Sequence, residues 1–370
     1  MSRTHVTWEG ALAWRLRQHF LEPTGTGSAV EVVRRLGAVK AEPDHGAELA
    51  IRIRQRHSTP GEVSLAIAEG RIIEAFAFRG AIHLMTAREA GIYLALRAAS
   101  RMWELPSWQT YYGLAPSDWP AFREAVRDAL SGGPLTREEL GVSITALPRY
   151  RGLRMAFEDK SWTLLKAMFW QGDVAFGPPR GGRATFQRLD RNPHWAGIPS
   201  LDGAGPQAVE AYFRTYGPAT PAHVQYWLGE GLGAGKKRIA TWITALGDRL
   251  AEVEVDGSSA WILREDLDDL TGSRPSDALR LLPGHDQWVL GPGTADAHVV
   301  PPARRALVTR GDNVAIYRGM VSGTWSVRAG AVAVTWFKEA GPEPREALAE
   351  ELERLTVILD RPLDWSLQTA

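Results

Sequence analysis

One order of elements recurs three times along this chain: two or three helical patterns, then two short strands joined by a turn. In the first copy, helical patterns at 7–20, 28–37 and 59–69 lead into RIIEAFAF and AIHLMT, separated by Arg79 and Gly80. In the second, DWPAFREAVRDAL and TREELGVSIT are read as helices capped by Asp118 and Thr136, because a short polar side chain there can accept the first free backbone N–H groups. SWTLLKAMFWQ follows as a third helix and runs into GDVAFG and ATFQRL across the tip PPRGGR. In the third copy, GPQAVEAYFRTYG, TPAHVQYWLG and KKRIATWITAL precede RLAEVEVDG and SAWILR, and Asp256-Gly257 between those strands is a strong hairpin turn. A hairpin following the third helix is the winged helix-turn-helix plan. Three occurrences of one order argue for a repeat over the alternative, a generic helical scaffold with incidental hairpins.

After about residue 275 the pattern changes. ALRLLPGHDQWVLGP, ALVTRGDNVAIYRGM, GTWSVRAG and AVAVTWFKEA read as alternating strands with glycine turns, which suggests a small mixed or barrel-like sheet. PREALAEELERLTVILD then places Leu348, Leu352, Leu355 and Leu359 at helical spacing, so this helix is expected to cover the sheet. The expected class is α+β: winged-helix units at 1–113, 114–200 and 201–274, then a β-rich domain at 275–370.

Several function classes fall away on composition. With no Cys, the chain has no disulfide framework, thiolate metal site or Cys nucleophile, and no His and acid spacing matches a zinc site. No run approaches the ~20 apolar residues of a membrane span, and MSRTHVTWEGALAWRLRQHF carries charges inside its apolar pattern, so a cytoplasmic, nucleoid-associated protein is expected. Lys plus Arg and Asp plus Glu both number 43, so net charge by itself gives no support for a nucleic-acid partner. Distribution has to decide. Basic residues cluster at IRIRQRH (Arg52, Arg54, Arg56, His57), RYRGLR (Arg149, Arg151, Arg154), PRGGR (Arg180, Arg183) and GKKR (Lys236, Lys237, Arg238), although any one cluster is more simply read as solvated surface.

LGAVKAEP, AFAFRGAIHLMTAREAGIYLAL, GPATPAHVQYWLG, LLPGHDQWVLGP, GTWSVR and the terminal helix follow one another as they do in the bacterial AlkZ-like winged-helix DNA glycosylases, which the chain resembles from about 8 to 362. The resemblance implies three tandem winged helices and a C-terminal β-rich domain around a DNA channel. It also implies excision of alkylated purines, including bulky adducts and cross-links formed by genotoxic natural products. Where the family carries Gln-x-Gln, or Gln-x-acid in one branch, this chain reads Lys40-Ala41-Glu42. YRGMVSGTW is also shorter than the hairpin that precedes GTW in the family.

The chemistry suits a carboxylate. Alkylation at guanine N7 or adenine N3 leaves a cationic base that departs readily, so an enzyme need only orient water and steady the positive sugar. Glu42 is the candidate for both tasks. In an extended stretch, Lys40 and Glu42 would face one side. For Lys40 three readings stay open: contact with a phosphate or an abasic-site oxygen, attack on C1′ to form an imine, or a solvated partner of Glu42. His83 has a functional reading, reaching the lesion or a phosphate, and a structural one on an apolar strand, which is favoured. Asp286 is read first as a buried acid tying together backbone donors and second as a stabiliser of a cation. For DNA contact the candidates are Arg79 in the first hairpin, Arg180 and Arg183 at the second wing tip, and Lys236 and Lys237 at a helix start.

The leading expectation is a metal-free, cofactor-free glycosylase acting as a monomer on damaged double-stranded DNA. The competing one is a non-catalytic DNA-binding protein, a regulator or lesion binder, because the first family Gln is a Lys here. A scaffold that binds only protein partners has no positive feature in its favour.

Overall fold

The computed structural model describes residues 4–41, 46–159, 161–328 and 330–370. Strand β1 (Thr4–Val6) leads into a helix at Trp8–Gln18, and a second helix, Ala29–Leu36, is closed at its start by a reciprocal Ser28–Glu31 capping box. Strand β2 (Val39–Lys40) follows, then helices Gly46–Arg52 and Glu62–Ala68, and then the hairpin β3 (Ile72–Phe76) and β4 (Ile82–Thr86). These strands form a sheet in the order β2-β4-β3, with Lys40 opposite His83. Between β3 and β4, Arg79 takes a left-handed conformation, φ 52°, beside Gly80 at φ 70°. Helices Ala90–Ala98 and Pro106–Tyr112 complete this part.

The second part repeats the order with helices Trp119–Ala129 and Arg137–Thr145, strand β5 (Leu135–Thr136) between them, helix Thr163–Trp170, and the hairpin β6 (Val174–Arg180) and β7 (Arg183–Arg188). Its sheet order is β5-β7-β6. Thr136 caps its helix with Glu139 as expected. Asp118 does not cap: its carboxylate turns back to accept the Ala115 N–H at 2.8 Å, closing the preceding turn instead.

In the third part, helices Leu201–Tyr216, Pro221–Val224 and Lys236–Leu246 precede β8 (Leu250–Val255) and β9 (Ser258–Leu263). Gln225–Glu230 prolongs the second of these in the wider turns of a π-helix. Asp256 and Gly257 join β8 and β9 with positive φ at both positions, the backbone a tight primed turn needs. The third strand of this sheet is β1, parallel to β8, so the N-terminus completes a unit that begins two hundred residues later.

The last part contains β10 (Leu279–Leu282), β11 (Asn313–Tyr317), β12 (Met320–Arg328), β13 (Ala331–Trp336) and β14 (Asp364–Thr369), hydrogen-bonded in that order. The sheet is open rather than barrel-like, since β10 and β14 are its two edges. Helix Arg345–Leu359 covers it: Leu348, Leu352 and Leu355 pack into one core with Leu279, Trp325, Val334 and Trp336. PGHDQWVLGP and ALVTR, expected to carry strand pattern, lie instead in and around two short helices, Gln287–Leu290 and Arg305–Arg310. The β11–β12 turn has only two residues, Arg318 and Gly319, and it is pinned by the Trp288 indole N–H donating to the Gly319 carbonyl at 2.9 Å.

Helix Leu201–Tyr216 binds the parts together. Its Tyr212 hydroxyl donates to the Gly291 carbonyl at 3.1 Å, Thr215 donates to the Arg35 carbonyl at 2.6 Å, and Tyr216 lies 3.3 Å from the Leu36 carbonyl. A methyl group on Gly291 would sit 2.0 Å from the Tyr216 ring, so only glycine lets the C-terminal part approach this closely.

Candidate active site

A pocket of about 270 Å³ opens where the first, third and last parts meet. Lys40 and His83 are cross-strand neighbours on β2 and β4, and both line it. The turn supplies Phe78 and Arg79, the π-helical segment supplies Tyr226 and Trp227, and the C-terminal part supplies His285, Leu290, Thr294 and Thr309. Phe78 stacks on Trp227 with ring centroids 4.2 Å apart and planes 18° from parallel. The Arg79 guanidinium lies over the Tyr226 ring at 4.4 Å, and the Arg79 N–H donates to the Gly231 carbonyl at 2.6 Å. The walls are therefore largely aromatic and apolar, with basic groups at Lys40, Arg79, His83 and His285, and no acid among the described lining residues.

The sequence reasoning brought three of its candidates to this place. Lys40, Arg79 and His83 meet in the pocket although Lys40 is separated from the other two in the chain by helices Gly46–Arg52 and Glu62–Ala68 and strand β3. Glu42, the proposed carboxylate, lies outside the described residues; Ala41, just before it, donates its N–H to the Ile82 carbonyl at 2.9 Å and so continues the β2 edge. His83 is buried, with Nδ1 3.1 Å from the Ala81 carbonyl, and because a carbonyl only accepts, Nδ1 is the donor in that contact. From this buried position on β4 it also lines the pocket.

Asp286 does not line the pocket. Its carboxylate is fully buried and binds Arg54 in a two-pronged pair at 2.6 and 2.8 Å, while also accepting the Trp288 N–H at 2.8 Å to start a helix. Arg54, grouped by sequence with a basic surface cluster, is thus an interior cation. The residue beside Asp286 is the one that sequence reasoning passed over. His285 has φ 57°, and a methyl group on Gly311 would lie 2.4 Å from its ring, so the imidazole rests on bare backbone and faces the pocket. A non-glycine residue held left-handed at a pocket is the signal that could have found it, and only the backbone shows that signal.

The remaining candidates lie elsewhere. Arg180 and Arg183 flank the turn Gly181-Gly182 at the exposed tip of the second hairpin, where Arg180 is paired with Glu139. Lys236 and Lys237 are exposed on the first turn of helix Lys236–Leu246. Among the described residues there is no cluster of three or more His, Asp or Glu able to hold a metal ion, and no helix is long and apolar enough to cross a membrane.

The family described as "DNA glycosylase AlkZ-like" matches residues 33–357. This chain belongs to the AlkZ-like DNA glycosylase family. The interstrand DNA cross-link repair glycosylase of Streptomyces sahachiroi is 34% identical to it over 352 residues, 94% of this chain and 95% of that protein. The solved structure of the Streptomyces sahachiroi DNA glycosylase AlkZ superposes with a TM-score of 0.92 at 32% identity, covering 98% of this chain and all of that one. The matched residues include all those that line the pocket, from Lys40 to Thr309, and most of the terminal helix.

Proposed function

We propose that this AlkZ-like chain is a DNA glycosylase that releases N7- or N3-alkylated purines, bulky adducts and cross-linked bases included, by hydrolysing the N-glycosidic bond without a metal. The observation that carries this reading is the aromatic-walled pocket lined by Lys40, two residues before Glu42 in the sequence. An enzyme acting on a base must take it out of the stack and hold it between apolar and aromatic walls. Stacked Phe78 and Trp227, with Leu290, offer such walls. In this scheme Glu42 orients water and steadies the oxocarbenium-like sugar, and Lys40 holds a phosphate or an abasic-site oxygen. We read the three helix-plus-hairpin parts as tandem winged helices over 1–113, 114–200 and 201–274, followed by a β-rich domain over 275–370, acting as a monomer on the nucleoid.

One observation favours a second reading. Lys40 stands in the pocket where the family has an amide, which fits a non-catalytic lesion binder that kept the scaffold. Base release from duplex DNA containing N7-methylguanine, N3-methyladenine or a bulky N7 adduct separates the two. Release under single-turnover conditions supports the enzyme; tight binding with no release of any of the three assigns the chain to the binder class.

A further inference from the structure

Many surface arginines of this protein are neutralised locally, as Arg180 is by Glu139, Arg188 by Asp190, Arg304 by Glu339 and Arg310 by Asp312. The patch beside the pocket is different. Beside the Arg79-Gly80 turn, a methyl group on Gly80 would lie 3.8 Å from the Lys166 Nζ, and one on Gly233 would lie 3.2 Å from the Arg97 Nη1. Gly233 in turn belongs to the loop whose Gly231 carbonyl accepts the Arg79 N–H. Arg79, Lys166 and Arg97 therefore stand around one small circuit of backbone, and the same loop continues into Lys236 and Lys237.

Their partners are rings and neutral atoms. Arg79 lies over Tyr226, Arg97 over Trp170 at 4.1 Å and Lys166 over Phe76 at 4.9 Å. Arg97 also points to the Met102 sulfur and Arg79 to the Tyr226 carbonyl. Among the described residues none of the five is ion-paired with a carboxylate; Asp159 is near enough to act on Lys166 but spends its oxygens on Ser161. Desolvation and the Arg97 charge both hold the Lys166 ammonium below its usual range, so the two cations are felt by each other. Crowding like charges without acids costs stability, and a polyanion arriving from outside offsets that cost.

The helix that bears Lys166 sharpens the point. Thr163–Trp170 precedes the second hairpin, the place of a groove-reading helix in a winged-helix unit, yet Leu164, Leu165, Ala167, Met168, Phe169 and Trp170 are all buried. It cannot enter a groove. What it offers to the outside is a cation.

We infer that Arg79, Lys166, Arg97, Lys236 and Lys237 form one seat for successive DNA backbone phosphates beside the pocket, holding the strand whose nucleotide enters it. This rests on the reading of the chain as a DNA-acting protein, and it adds Lys166 and Arg97, which no sequence pattern singled out. The contacts are to phosphate, so the seat positions the strand and reads no bases.

The test is the salt dependence of binding to two unrelated duplexes, for the full chain, Lys166→Met, and Lys166→Met combined with Lys236→Gln and Lys237→Gln. Methionine keeps the aliphatic packing over Phe76, and both lysines of the loop are exposed, so thermal melting serves as the folding control. The slope of log K against log salt is expected to flatten by about one for the single variant and by two to three for the triple, equally on both duplexes. A wild type that binds DNA, with single and triple variants whose slopes equal its own, overturns the seat while leaving the glycosylase reading intact. A wild type that binds no duplex DNA, or that prefers RNA of the same length, overturns the proposed function and the seat together.

Discussion

Arg54 and Asp286 are 232 positions apart, fully buried, and joined by two hydrogen bonds at 2.6 and 2.8 Å. The pair ties the first part of the chain to the turn that precedes helix Gln287–Leu290. It also fixes His285, the next residue back, at the pocket wall.

Breaking this pair from one side leaves a charge in the interior without its counterion. Asp286→Ala is expected to destabilise the fold by about 3–5 kcal/mol, and Arg54→Met combined with Asp286→Leu to recover part of that loss. Thermal or denaturant unfolding of the single and double variants checks both statements. A double variant no better than the worse single would show that the pair's remaining neighbours, the Ala50 carbonyl and the Trp288 N–H, carry the effect.

Acid should weaken the fold earlier than carboxylate titration alone would. His19 is buried between Tyr216 and Trp288, and burial, then Arg54, Arg15 and Arg35, push its imidazole well below the usual 6.5. His223 is lowered too, chiefly by burial. The folded chain thus holds these rings neutral while the unfolded chain takes up protons near 6.5, so their contribution is complete above that pH and is lost progressively as pH falls below it. A plot of melting temperature against pH should turn downward from about pH 6.5, and His19→Phe should make that limb shallower.

His285 and Gly311 form a testable unit. Gly311→Ala places a methyl group 2.4 Å from the His285 ring at a backbone of φ 97°, so the ring must leave its seat. Base release is expected to fall by at least tenfold with DNA affinity nearly unchanged. His285→Asn keeps a residue type at ease in the left-handed region and should lose rate without losing melting temperature. Equal rates for wild type, Gly311→Ala and His285→Asn would remove His285 from the reaction.

At the segment that replaces the family's Gln-x-Gln, Glu42→Gln keeps the shape and loses the charge. Release of N7-methylguanine should slow by about 10²–10⁴-fold while affinity holds. Lys40→Ala should act partly on affinity, as expected of a group holding an oxygen of the backbone. Borohydride should trap no covalent protein–DNA adduct if water is the nucleophile; an adduct that vanishes in Lys40→Ala would make Lys40 the attacking group.

Where a signal was local, the sequence carried it. The three hairpins, the Thr136 cap, the Asp256-Gly257 turn and the leucine stripe over 345–359 each depend on periodicity or on a residue at a fixed offset, which neighbouring residues suffice to specify. The family likeness was legible for the same reason, since it rests on contiguous motifs. What the tertiary structure alone decided is every relation across the chain. Two-residue strands such as β2 and β5, and the closing strands β1 and β14, are too short or too polar to show a pattern and exist because a neighbouring edge offers unpaired backbone groups. Arg54 looked like surface because a run of arginines usually is; only Asp286, brought from the far end of the chain, makes an interior guanidinium tolerable. The same holds for Lys166, Arg97 and Arg79, whose shared position is a property of how three parts pack. Sequence sets which charges a chain carries, and folding sets which of them are left for a partner to neutralise.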